Sequence, residues 1–183
     1  MKATGIVRRV DDLGRVVIPK EIRRTLRIRE SDPLEIFVDH DGEVILKKYS
    51  PIGELADFAK EYVDSLHDVS GHIAVVTDRE AVIAVAGASK KELLDRRLGP
   101  LTKSLLSSRQ NLVQNEAVGE EALLAGAGVS QRDHVTAAMA PIVVGAEAVG
   151  IVILYSREAE NRMGPLEEKL VTTAASVLAA QMA

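Results

Sequence analysis

The chain has no cysteine and no tryptophan, and only three tyrosines and two phenylalanines among its 183 residues. Without thiols there can be no disulfide, no thiolate metal site and no cysteine nucleophile. With so few aromatics, the apolar 46% must build its core mainly from valine, isoleucine, leucine and alanine. No apolar run approaches the ~20 residues that a membrane-spanning helix needs. Met1-Lys2-Ala3-Thr4-Gly5 leads directly into strand-like sequence, without the pattern of a signal peptide. A cytoplasmic protein without membrane partners is the resulting expectation. The four histidines, His40, His67, His72 and His134, show no metal-ligand spacing such as HxxxH, and structural roles are expected for each. Gly126-Ala127-Gly128 lacks the third glycine and the preceding strand of a dinucleotide fingerprint, and the acids are scattered. No metal, no cofactor and no catalytic residues are predicted, and therefore no enzyme.

What is present is a division of charge. The net value of −4 hides nine lysines and arginines against three acids in residues 2–29, a local charge of +6. Residues 51–183 carry 12 basic against 18 acidic residues, a local charge of −6. A basic head on an acidic body is a pointer to polyanion binding by the head, although an ordinary solvated surface can carry the same charges.

The first fifty residues read as four short strands and one helix. Gly5 to Val10 and Arg15 to Ile18 are predicted strands, joined by the turn Asp11-Asp12-Leu13-Gly14. Pro19 ends the second strand and suits the start of a helix through Leu26, with Ile22 and Leu26 on one face and Arg23 and Arg24 off it. Leu34 to Val38 and Glu43 to Lys48 form a hairpin about Asp39-His40-Asp41-Gly42. About fifty residues without metal or disulfide seldom bury enough surface to fold alone. An obligate dimer is therefore expected.

Thr4-Gly5-Ile6-Val7-Arg8, Leu13-Gly14-Arg15-Val16-Val17-Ile18-Pro19, Ile22-Arg23-Arg24-Thr25-Leu26 and Leu34-Glu35-Ile36-Phe37-Val38 closely resemble the AbrB family of swapped-hairpin DNA-binding domains. The resemblance covers nearly all of residues 1–50. It implies that two chains interleave hairpins into one β-barrel whose arginines contact double-stranded DNA. It carries over Arg8, Arg15, Arg23 and Arg24 as the principal contacts, and Lys2 as a phosphate contact. Guanidinium chemistry agrees, since the planar fork suits phosphate or guanine O6/N7 and stays charged at any cellular pH. Arg9, Arg27 and Arg29 have acids nearby to pair with and are left as surface charges.

Ser50-Pro51 marks a boundary and a helix start, followed by apolar residues at helical spacing from Ile52 to Leu66. The predicted domains are thus 1–50 and 51–183, the second including a linker helix over 51–68. Strands are expected at 72–77, 81–86 and 135–140, with 141–144 and 149–155 as a hairpin of apolar strands about the turn Gly145-Ala146-Glu147. A capping box is expected at Ser89-Lys90-Lys91-Glu92, and loops and short helices over 98–130. A final helix opens at Gly164-Pro165 with the apolar stripe Leu166, Leu170, Ala174, Val177, Leu178 and Gln181. Helices flanking one sheet in this order resemble a GAF domain.

The expected fold class is therefore α+β: an N-terminal dimeric swapped-hairpin barrel joined by a helix to an α/β GAF-like domain. Together the two resemblances point to a family of regulators that activate or repress late sporulation genes. They imply a homotetramer, dimeric through the N-domain and paired again through the terminal helices of the C-domain. GAF domains elsewhere bind small molecules, but no residue pattern here names a ligand. An antitoxin-type autorepressor with the same DNA-binding domain is the alternative, although such chains usually end in a disordered acidic tail. A GAF-fold methionine-sulfoxide reductase would need cysteines, and the chain has none.

Overall fold

The structure is a computed structural model that describes residues 5–26, 28–40, 42–49, 56–116, 118–126 and 134–182. The chain divides into two compact units, Met1–Tyr49 and Ser50–Ala183.

In the first unit a helix α1 (Lys20–Leu26) follows Pro19, and strands β1 (Leu34–Val38) and β2 (Val44–Lys48) form an antiparallel hairpin. Gly42, at φ 78°, donates its N–H to the Asp39 carbonyl at 3.2 Å and closes the connecting turn. The strands expected at 5–10 and 15–18 join no ladder among the described residues. They meet at the turn itself, where Asp11 N–H donates to the Arg15 carbonyl at 3.0 Å. The reason is geometric. Extended segments become strands only beside a partner strand, and the β1–β2 hairpin pairs with itself alone.

The second unit is a five-stranded sheet with helices on both faces. In chain order its elements are α2 (Ala56–Ser70), β3 (Ile73–Thr77), β4 (Val82–Ala86), α3 (Lys90–Leu93), β5 (Arg97–Leu98), α4 (Pro100–Ser108), β6 (Leu112–Gln114), α5 (Glu120–Leu123), β7 (Leu124–Ala125), β8 (Thr136–Val144), β9 (Glu147–Ser156) and α6 (Pro165–Ala180). The strands run in the order β4-β3-β9-β8-β6, all neighbours antiparallel, while β5 and β7 form a separate small pair.

Period-two alternation gives the sheet two buried faces, one of them richer in alanine. Ala74, Ala84, Ala86, Ala138 and Ala140 face α2 and α6, which meet them with Ala59, Ala174 and Ala175. Met139, Ile151, Ile153 and Tyr155 point to the other side, against Leu93, Leu105, Leu123 and Leu124. Alanine opposite alanine lets the two long helices lie close to the sheet. Bulk on the opposite face fills the wider space under short helices and loops.

Several expectations shift here. Residues 50–55, the predicted start of the linker helix, lie outside the described residues, and the helix runs on to Ser70. Strand β8 continues through Pro141 without a break. It pairs with β6 only as far as Met139, so an absent N–H at Pro141 costs no bond on that side. The capping box at Ser89 does not form, because the Ser89 side chain makes no cap bond and the Glu92 carboxylate turns to Arg157 instead. The core face of α6 is Val171, Ala174, Ala175 and Leu178, one position round from the expected stripe, and Leu166 stands exposed. The stretch 98–130 holds the nine-residue α4 and the sheet-edge strand β6. Gly99 is required there: a Cβ on it would collide with the Ala122 carbonyl, where its own N–H donates to the Leu123 carbonyl at 2.7 Å.

An ion cluster fastens the face opposite α2 and α6. Glu120 is fully buried and its Oε1 accepts from the Tyr155 hydroxyl at 2.7 Å and from Arg157 Nε at 3.0 Å and Nη2 at 2.8 Å. Arg157 also donates to Glu92 on α3. Burial, reinforced by the Glu120 charge, holds the Tyr155 phenol far above its usual value. Burial by itself would lower the Arg157 value, but its bonds to Glu120 and Glu92 outweigh that and raise it. The cluster thus ties α3 and α5 to the end of β9. Arg157→Ala leaves Glu120 buried without its cation, so a loss of about 3–5 kcal/mol is expected in urea unfolding. Glu120→Gln, which keeps an acceptor for Tyr155, should cost less.

Candidate nucleic-acid interface

The basic residues of the first unit lie on three local supports. Arg8 precedes the turn at Asp11–Gly14, Arg15 follows it, and Arg23 and Arg24 sit on α1. Arg8, Arg15 and Arg24 are exposed, whereas Arg23 is half-buried. Arg8 Nη1 donates to the neighbouring Val7 carbonyl, at 2.9 Å. Arg23 Nε is enclosed and has no hydrogen-bond partner among the described residues. Lys2 and Arg27 lie outside the described residues.

The turn is organised by one carboxylate. Asp11 Oδ1 accepts from Leu13 N–H at 3.0 Å and Arg15 N–H at 2.8 Å, and Oδ2 accepts from Arg15 Nε at 2.8 Å. Gly14, at φ 76°, provides the left-handed residue such a tight reversal needs. The backbone bond from Arg15, and then its side-chain bond, hold the Asp11 carboxyl below its usual range. Sequence reasoning placed acid pairing on Arg9, Arg27 and Arg29, whereas this pair forms on Arg15. The available signal was the spacing: an Asp four residues before the Arg, across a glycine-bearing turn, can cap the backbone and reach the side chain together.

The unit's apolar surface is the second feature. No described side chain in residues 5–49 is buried. Thirteen of the sixteen large apolar side chains that stand exposed among the described residues belong to it, Val7, Val17, Ile36 and Val38 among them. Elsewhere, no described group of three His, Asp or Glu is placed to hold a metal ion, and no described helix is long and apolar enough to cross a membrane.

Comparison with known proteins meets this geometry at both units. Residues 7–54 match the model for antidote-toxin recognition MazE, bacterial antitoxin. Residues 54–183 match the model for stage V sporulation protein T C-terminal, transcription factor. The transition state regulatory protein AbrB of Bacillus subtilis is 62% identical over 63 residues, spanning 31% of this chain and 65% of that protein. The GAF domain from an Acinetobacter phosphoenolpyruvate-protein phosphotransferase superposes with a TM-score of 0.58 at 12% identity, over 70% of this chain and 81% of that one. An AbrB-type arginine-bearing unit followed by a unit of GAF fold that matches a transcription-factor model places the chain among DNA-binding transcription regulators. Stage V sporulation protein T of Bacillus subtilis is 52% identical over 182 residues, spanning 100% of this chain and 99% of that protein. The chain belongs to the stage V sporulation protein T family of transcription factors.

Because the Asp11 carboxyl is lowered from its ordinary value, its hydrogen bonds should persist to a lower pH than an ordinary aspartate would allow. They should be lost as pH falls through that depressed value, since a lowered value in the folded chain means stabilisation that is removed by protonation. The amide resonances of Leu13 and Arg15, followed by NMR, should move together in that lower window.

Proposed function

We propose that the chain regulates sporulation genes by reading double-stranded DNA as a dimer of its N-terminal unit, residues 1–50, with Arg8, Arg15, Arg23, Arg24 and Lys2 as the contacts. It works in the cytoplasm and performs no catalysis. The observation that carries this is the pairing of two features in residues 5–49. Solvent-facing guanidiniums share the unit with a set of apolar side chains that one chain leaves uncovered. Covering Val7, Val10, Val16 and Val17 against a second copy would supply the burial the unit lacks, and would double the charge presented to DNA. Phosphate neutralisation then gives most of the affinity, and makes it strongly salt-dependent. Residues 51–183 act as a regulatory and oligomerisation domain that joins two such dimers into a tetramer. Leu166, Leu170 and Val177 lie along α6 beside its core face, with Leu166 exposed, and supply the apolar surface for that pairing. The antitoxin alternative is weaker, because the antitoxin model matches only residues 7–54 and the remainder is a folded sheet with its own core.

Arg15→Ala and Arg23→Ala should each weaken DNA binding by roughly 1–3 kcal/mol per chain, and flatten the slope of log K against log salt by about one for each phosphate no longer neutralised. Fluorescence anisotropy at several salt concentrations checks this, with circular dichroism confirming the fold; unchanged affinity removes the residue from the interface. A peptide of residues 1–50 should sediment as a dimer or remain unfolded, and a cooperatively melting monomer would refute the dimer. Leu166→Glu with Val177→Glu should yield dimers in light scattering with secondary structure intact.

A further inference from the structure

Asp11 is an acid placed inside the most basic stretch of the chain, where an exposed carboxylate repels a phosphate backbone. Its two oxygens have separate tasks. Oδ1 closes the turn through Leu13 N–H and Arg15 N–H, and Oδ2 takes Arg15 Nε at 2.8 Å. The Arg15 guanidinium has no other partner among the described residues, and the side chain is 68% exposed, which leaves its two terminal nitrogens unengaged by the described residues. A guanidinium can approach a base or phosphate through its Nε edge or through the end formed by its two Nη atoms. Here the Nε edge is already occupied. A solvent-exposed pair of this kind contributes little to stability, so its effect lies elsewhere.

We propose that Asp11 is a positioning residue for DNA recognition: it holds Arg15 by Nε so that the terminal Nη fork, in one orientation, meets the DNA. This rests on the reading of Arg15 as a DNA contact. Fixing the fork removes rotamer freedom before binding, and lowers the ordering cost at the one geometry that suits a bidentate acceptor. The same negative charge weakens attraction to phosphates in general. Asp11 thereby sacrifices non-specific affinity and gains discrimination, because wrong sequences meet a fork biased toward one orientation.

The test uses the full chain and two probes: a duplex enriched from a random pool by the wild-type protein, and the unselected random pool. Asp11→Asn keeps the acceptor for the backbone N–H groups but puts an amide donor against Arg15 Nε. The preference for the enriched duplex should fall by roughly tenfold, the value of one bidentate contact. Affinity for the random pool should hold or rise. With [15N]arginine labelling, the Arg15 Nε–H resonance should be slowly exchanging in the wild type and absent in D11N, while the Leu13 and Arg15 amides stay in place. In an Arg15→Ala background, D11N should have no further effect. The proposal is overturned if D11N leaves the preference unchanged, lowers both affinities equally, or acts as strongly without Arg15. If R15A itself binds both probes normally, the underlying reading of Arg15 fails instead. Should D11N not fold, Asp11→Ser decides: its hydroxyl can still accept from the turn N–H groups but does not reach Arg15 Nε. It should lose the same preference, and a preserved preference would refute the proposal.

Discussion

Apolar side chains must be covered, and the two units of this protein stand in opposite positions toward that constraint. In the larger unit every strand of the sheet has helices or loops on both faces, and the central strands β8 and β9 are buried through almost their whole length. In the smaller unit nothing described is buried, although its strand-like segments are as rich in valine and isoleucine. Sequence composition does not distinguish the two cases; chain length does. A sheet sandwiched between helices closes its core within about 130 residues, whereas about fifty residues cannot. In the proposed assembly the second copy is therefore part of the fold of the DNA-reading unit, and DNA binding and dimerisation are inseparable.

Within the larger unit, asymmetry between the sheet faces follows from the same constraint. Alanine on both sides of the contact between the sheet and helices α2 and α6 suits long helices laid on the sheet, and their own side chains complete the core. The opposite face meets only short helices, whose ends leave polar groups to be satisfied. Thr102 hydroxyl donating to the Leu123 carbonyl at 2.7 Å, and the Glu120 cluster with Tyr155 and Arg157, answer that need. Buried charge of this kind requires complete pairing, which makes the cluster a fixed point in an otherwise apolar layer.

On the DNA-reading side, charge and local geometry do different things. The sum of basic residues attracts any polyanion, and that much is a property of composition. In the proposed recognition, discrimination requires that individual guanidiniums be held, and the Asp11 turn is where a local hydrogen-bond pattern holds one, Arg15. Arg23 differs, half-buried with its Nε enclosed, while Arg8 and Arg24 project into solvent.

The motifs around Gly14-Arg15 and Arg23-Arg24 made the DNA-binding class legible through their resemblance to a known family, while glycine, proline and β-branched runs marked the local turns and extended segments. The same local signals marked Gly164-Pro165 as a helix start and Gly145 as a hairpin turn. Contacts between distant segments were another matter. Which face of α6 enters the core, whether Pro141 interrupts a strand, and whether Glu92 caps its own helix each depend on a partner far along the chain. Val171 rather than Leu170 is buried because of where β8 lies. Pro141 is tolerated because β6 ends opposite Met139. Glu92 leaves its cap because Arg157, sixty-five residues away, binds it more strongly than a backbone N–H does. Local propensity marked the turns, helix starts and extended segments, and only the tertiary structure decided which segments pair and which faces are covered, since that free energy depends on groups the local sequence does not contain.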